Sequence, residues 1–146
     1  MITKRTEWAW AASMAAFFLL FSLAGCGAKI DASEVIERSG VMFRKGSEKP
    51  FSGVVTGRGR HEGYRNFPFE YKKEFKKGVL EGRSFYYYTD GQVESIEPYK
   101  NGLLHGVVTQ YHPNGQLKSR LHFVAGFRGG AKGEMFWNAD GSRNDG

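Results

Sequence analysis

The chain has 146 residues, 20 of them glycine, a formal net charge of +6, and one cysteine, Cys26. That length suits a single domain, and a lone cysteine excludes an internal disulfide framework and a zinc–thiolate site. Apolar runs of helical period are absent, which excludes a helical bundle and points to an all-β chain.

Residues 1–25 read as a targeting segment. Lys4 and Arg5 give a positive start, and Trp8 to Ala24 is uncharged and apolar. A membrane-spanning helix takes about 20 such residues, so the run sits at the short limit for one. Leu23-Ala24-Gly25-Cys26 resembles a lipobox, the cleavage signal of bacterial lipoproteins, and small residues directly before the cysteine favour cleavage over anchoring. The resemblance implies that Cys26 is the lipidation site, holding a diacylglycerol, with a second acyl chain on its amine to make the anchor stable. Gly27 follows, where inner-membrane lipoproteins of Gram-negative type usually carry Asp. The implied location is therefore the outer membrane, facing the periplasm.

Residues 26–34 read as a lipidated tether and residues 35–146 as the folded domain. Val35-Ile36 and Val41-Met42-Phe43 are short strand candidates around Ser39-Gly40, Ser47 to Pro50 is a loop, and Val54-Val55-Thr56 is a strand ended by Gly57. Arg58 to Pro68 is basic and carries no pattern that assigns it a structure. Gly57-x-Gly59 lacks the strand–helix setting of a phosphate loop and reads as backbone punctuation.

From Phe75 to Ser119 one motif is written twice. At an offset of 24 residues, Lys76/Lys100, Gly78/Gly102, Leu80/Leu104, Gly82/Gly106, Tyr87/Tyr111, Gly91/Gly115, Gln92/Gln116 and Ser95/Ser119 are identical. A fixed period of this length marks a repeat architecture. Each unit reads as a β-hairpin, with Asp90-Gly91 and Asn114-Gly115 as type I′ turns and Lys100-Asn101-Gly102 as the link between units. On the returning strands Val93 and Tyr99, then Leu117, Leu121 and Phe123, are expected on one face, with Glu94, Lys118, Arg120 and His122 pointing away. Phe69, Tyr71 and Phe75 keep the phase ahead of the motif. Behind it, Trp137 and Asp140-Gly141 resume the pattern after a small insertion at Phe127 to Lys132. Atypical terminal units of this kind serve as caps.

Gly-x-x-x-Gly, an aromatic, then Asn/Asp-Gly-Gln at this period resembles the MORN-repeat variant, especially the bacterial YwqK-like antitoxin family. Glu48 to Val55 also resembles that family's leading segment. The resemblance implies an elongated antiparallel meander of hairpins that acts as an interaction surface, and the antitoxin label implies direct binding of a toxin.

The residues themselves carry no catalytic constellation. His61, His105, His112 and His122 do not share metal-ligand spacing, and Ser84, Ser95 and Ser119 lie within strands rather than at a nucleophile elbow. No cofactor, metal or nucleic-acid partner is expected. Tyr87, Tyr111 and Trp137, like Phe75, Tyr99 and Phe123, are expected to stack from hairpin to hairpin. Tyr86 and Tyr88 point to the other face and are candidates for an exposed protein-binding surface. Arg58, Arg60, Lys72, Lys76 and Lys77 are candidates for contact with an anionic lipid or envelope surface, to which the lipid would hold them close. The expectation is a lipid-anchored, non-catalytic binding or scaffolding module of the cell envelope, or alternatively a periplasmic immunity protein.

Overall fold

Turn chemistry sets the meander. The computed structural model describes residues 27–129 and 133–144; residues 1–26, on which the expected targeting segment and lipidation site fall, lie outside them. Pairs of consecutive positive φ angles occur at Ser39-Gly40, Lys77-Gly78, Asn101-Gly102 and Ala125-Gly126. These are two-residue turns of the I′ class, whose twist matches that of the strands they join. The hairpins at Asp90 and Asn114 close differently from the sequence expectation. Only Gly91 and Gly115 have positive φ, at 86° and 82°. Gly91 N–H donates to the Tyr88 carbonyl, and Tyr88 N–H to the Gln92 carbonyl. That is a three-residue loop, with the aspartate occupied elsewhere: Asp90 Oδ1 accepts the Gln92 N–H. Asn114 and Asp140 repeat the arrangement on Gln116 and Ser142. The third hairpin therefore exists, as expected.

The strands are β1 (Ala28–Asp31), β2 (Val35–Arg38), β3 (Val41–Arg44), β4 (Gly53–Gly59), β5 (Phe69–Lys76), β6 (Val79–Leu80), β7 (Gly82–Tyr87), β8 (Val93–Lys100), β9 (Leu103–Leu104), β10 (Gly106–Tyr111), β11 (Leu117–Val124), β12 (Phe127–Arg128) and β13 (Met135–Phe136). All but β2 and β3 join one sheet in the order β1-β4-β5-β7-β8-β10-β11-β12, with β6, β9 and β13 pairing on β5, β8 and β11. The fold is the all-β meander of hairpins. The stretch read as a tether is instead ordered: β1 pairs parallel with β4, and Ala32–Glu34 forms one turn of 3-10 helix capped by Asp31.

One bulge per unit decides which residues share a face. Tyr86 pairs with Ser95 but Tyr87 pairs with Val93, so Glu94 is the extra residue. Gln110 with Ser119 and Tyr111 with Leu117 repeat this, with Lys118 extra. Because the side-chain period of a strand is two, one inserted residue moves everything beyond it to the other face. Val93 and Leu117 therefore lie opposite Tyr99, Leu121 and Phe123, contrary to simple alternation. Glu94 faces inward and is 1% exposed.

The inner face is covered at its N-terminal end. Val35 and Met42 pack on Ile30, Phe51 and Val55. Residues 60–67, which the sequence left unassigned, cross the face beyond them, with Glu62 and Arg65 paired across a tight turn. Phe69 and Tyr71 lie over Gly59 and Gly57, where a Cβ would fall 2.5 Å from the ring tips. Those two glycines make room for the rings within the strand rather than punctuate it: β4 runs on past Gly57, where the sequence reading ended it. The expected ring ladder does not form among the described residues. Phe85 stacks on Tyr87 within one strand, Phe75 meets Phe51, and Tyr88 stacks on Phe67.

Candidate functional site

The inner face holds a buried ionic cluster built by the bulge. With Glu94 turned inward beside Ser95 and Glu97, three acceptors of β8 converge on Arg65. The Arg65 Nε donates to Glu94 Oε2 at 2.7 Å, and one terminal nitrogen donates to Ser95 Oγ and Glu97 Oε1. The three charged side chains are 1–6% exposed. The guanidinium lies over the Tyr86 ring, 3.6 Å from its centroid, and its charge is held by Glu97 well above the ordinary arginine range despite burial. Burying ions costs several kcal/mol each unless they are paired and hydrogen-bonded; here all three are.

A second pair closes the edge of the cluster. Lys73 donates to both oxygens of Glu62 at 2.8 Å, and the Tyr86 hydroxyl donates to Glu62 Oε1 at 2.6 Å. Burial raises the Glu62 carboxyl, but the Lys73 and Tyr86 hydrogen bonds outweigh it and hold the group below its usual range. Burial, with Glu62 accepting the hydrogen bond of its hydroxyl, raises the Tyr86 phenol well above its ordinary range. Ser84 Oγ, on the same face, is buried without a hydrogen-bond partner among the described residues.

Where residues 60–67 end, the inner face opens into a cleft of about 420 Å³. Leu104, Val108, Leu121 and Phe123 form its floor, and Tyr64, Glu97, Tyr99, Gln110 and Arg128 its polar wall. An apolar floor with a few convergent polar groups is the usual make-up of a binding site. Its ionisable groups are already engaged. Glu97 accepts from Arg65, Ser95 and Tyr99, and Arg128 is paired with Glu134. Burial and the neighbouring Glu97 raise the Tyr99 phenol above its ordinary range. Among the described residues the wall offers fixed donors and acceptors suited to recognition.

The structure separates the residues that the sequence grouped. Tyr86 is core, 1% exposed, and not a contact residue. Tyr88 is half-buried, stacked on Phe67, and its hydroxyl donates to the Tyr111 carbonyl at 2.9 Å. The basic residues form no single patch. Arg58 pairs with Glu70 at 2.8 Å, and Arg60 is exposed beside Pro68 and Thr89 at one end of the sheet. Lys72 lies over the Phe85 ring on the outer face. Lys76 and Lys77 are exposed at the opposite end of β5, about 25 Å away at strand rise. His112 Nε2 contacts the Trp137 carbonyl, tying two hairpins together. Among the described residues no group of three His, Cys, Asp or Glu could hold a metal.

Sequence reasoning missed Arg65, Glu94 and Glu97. A signal was present in Glu94, which stands where the next unit has Lys118, but alternation assigned it to solvent. Residues 80–101 and 104–125 match the MORN repeat variant family, and repeats of this kind generally mediate binding or scaffolding. Neither a curated protein nor a solved structure gave a significant match to the chain.

Proposed function

We propose that this chain, built on MORN-variant repeats, is a lipid-anchored, non-catalytic binding module of the bacterial cell envelope. In this reading Cys26 carries the lipid and a protein partner inserts apolar side chains into the cleft over Leu121 and Phe123. The observation that supports it most is the part of the inner face that the described residues leave open, where an apolar floor meets a wall of engaged polar groups. Such a surface favours recognition over chemistry.

Affinity capture from the native envelope tests it. The wild-type chain recovers a stoichiometric partner, and Leu121→Asp, which puts a charge on the floor of the cleft, loses it while keeping the circular-dichroism spectrum. Equal recovery by both chains would reject the cleft as the binding site. Processing is tested separately: Cys26→Ser blocks cleavage and palmitate labelling, and a variant still cleaved and labelled would reject the anchor. A second reading, immunity by direct toxin binding, is favoured by the likeness of residues 48–55 and of the repeats to the antitoxin family. It requires the captured partner to be a secreted toxin whose activity the chain abolishes at equal molar ratio.

A further inference from the structure

We propose that the outer face of the sheet, opposite the cleft, binds a proline-rich segment of a partner protein in the polyproline II conformation, with acidic residues set among the prolines. The segment crosses the strands and advances one turn per repeat unit. This site stands apart from the cleft and does not depend on it.

Strand register builds the site. Tyr87 pairs with Val93 and Tyr111 with Leu117, and residues directly opposite one another share a face. Ser95 pairs with Gln110, so Tyr111 falls beside the bulge at Val93-Glu94 and in line with Tyr87. Phe136 pairs with the inward Ser119, so Trp137 turns outward, and its N–H donates to the Lys118 carbonyl. Tyr87, Val93, Tyr111, Leu117 and Trp137 thus make one row across the strands, each of them partly exposed. Both parts of the second layer, β2 with β3 and residues 60–67, lie on the inner face instead.

The period of the row selects its ligand. Neighbouring strands lie about 4.8 Å apart, so the rings of successive units, two strands apart, recur every ~9.6 Å. A polyproline II helix has three residues per turn at about 3.1 Å each, or about 9.3 Å per turn. A proline at every third residue therefore meets the row once per unit, whereas an α-helix advances only about 5.4 Å per turn and falls out of step. Aromatic-lined surfaces take such segments because the bound conformation is already formed in the free peptide. Between the rings, Val93 and Leu117 offer an aliphatic floor. It suits a pyrrolidine ring and gives the hydroxyls of a sugar no hydrogen-bond partner.

Charge adds the acidic residues. A second row runs beside the first: Lys72 pairs with Phe85, Phe85 with Ile96, Ile96 with Thr109 and Thr109 with Arg120. Its two ends are cations. Lys72 lies over the Phe85 ring and Arg120 is exposed, and neither is paired with a carboxylate among the described residues. The acids nearby are engaged, Glu70 by Arg58 and Asp90 by the Gln92 N–H. Four strand steps separate Lys72 from Arg120, about 19 Å, which is close to two polyproline II turns. Acids two turns apart on the segment therefore reach both cations while the prolines keep to the rings. A second copy of the chain would bring the same cations face to face.

Fluorescence anisotropy of the full chain with a labelled peptide of five Asp-Pro-Pro triplets tests this. Saturable binding is expected, severalfold weaker for the matching Asp-Gly-Gly peptide, which lacks the preformed helix, and for Lys-Pro-Pro, which reverses the charge. Tyr111→Ala should weaken binding severalfold, and Lys72→Glu with Arg120→Glu should abolish it. The charge reversal removes no packed ring, so it reports on binding even where Tyr111→Ala weakens the fold. No binding, equal affinity for the three peptides, or binding that survives both variants would overturn the proposal. Loss on Leu121→Asp but not on Tyr111→Ala would place the peptide in the cleft and overturn it as well. Displacement of the peptide by a chitin oligosaccharide, or a dimer that Tyr111→Ala dissociates, would give the face to a glycan or to a second copy instead.

Discussion

Removing the Arg65 guanidinium leaves Glu94 and Glu97 buried without their cation. Breaking a buried pair from one side costs about 3–5 kcal/mol, so Arg65→Ala is expected to lower the unfolding free energy by that order in urea titration. The triple variant Arg65→Ala, Glu94→Gln, Glu97→Gln should recover part of the loss, because no uncompensated charge remains. A triple variant no more stable than the single one would mean that Arg65 acts by packing on Tyr86 and Phe69 rather than by charge. Glu62 makes a prediction in pH. Its carboxyl is held below the ordinary value of 4.5, so its contribution to stability is complete above that value and is lost as pH falls through the lowered one. Glu62→Gln is expected to lower the neutral part of the stability curve and leave its acid end little changed, so that the acid limb flattens. An unchanged acid limb would show that the Lys73 and Tyr86 contacts carry no net proton linkage.

At the scale of elements, the turns are the testable parts. Gly115 has φ of 82°, and a Cβ there would come within 3.2 Å of Gln92 Oε1. A β-branched side chain in that conformation is strained by about 1–3 kcal/mol, so Gly115→Val should lower the melting temperature by several degrees. Ala125 runs the other way. It holds φ of 49°, where the preceding unit has Asn101. Asparagine tolerates this region better than alanine, so Ala125→Asn is expected to raise the melting temperature modestly. A fall on Ala125→Asn would show that the alanine is kept for contacts rather than tolerated for its backbone. The bulges matter more for architecture. Without the extra residue at Glu94, Val93 would return to the inner face and the acid cluster around Arg65 could not form.

On the scale of the molecule, each unit of the sheet contacts mainly its neighbours. In such arrays stability is close to a sum of unit and interface terms. Truncation after residue 126 removes β12 and β13, whose pairing is confined to the outer edge of β11. Hydrogen exchange is then expected to speed up in β10 and β11 and to stay slow in β4, β5 and β7. Uniform loss of protection would instead indicate one cooperative unit in which the C-terminal hairpin is indispensable. The N-terminal segments make the far end different, since residues 28–52 and 60–67 supply a second layer that the repeats lack.

The sequence by itself determined the repeat, its period, the hairpin count and the all-β class. These depend on local chemistry: glycines that accept positive φ, asparagines and aspartates that cap a turn, and aromatic or branched residues between them. Only the tertiary structure decided the faces and the site. Tyr86 entered the core, Glu94 turned inward and residues 58–68 found a place because bulges and long-range pairs, such as Arg65 with β8, are settled by what the folded chain brings together. A strand's alternation says which residues share a face only while the register runs unbroken, and the fit that breaks it, an arginine lodged between two glutamates far along the chain, leaves no mark in the local pattern.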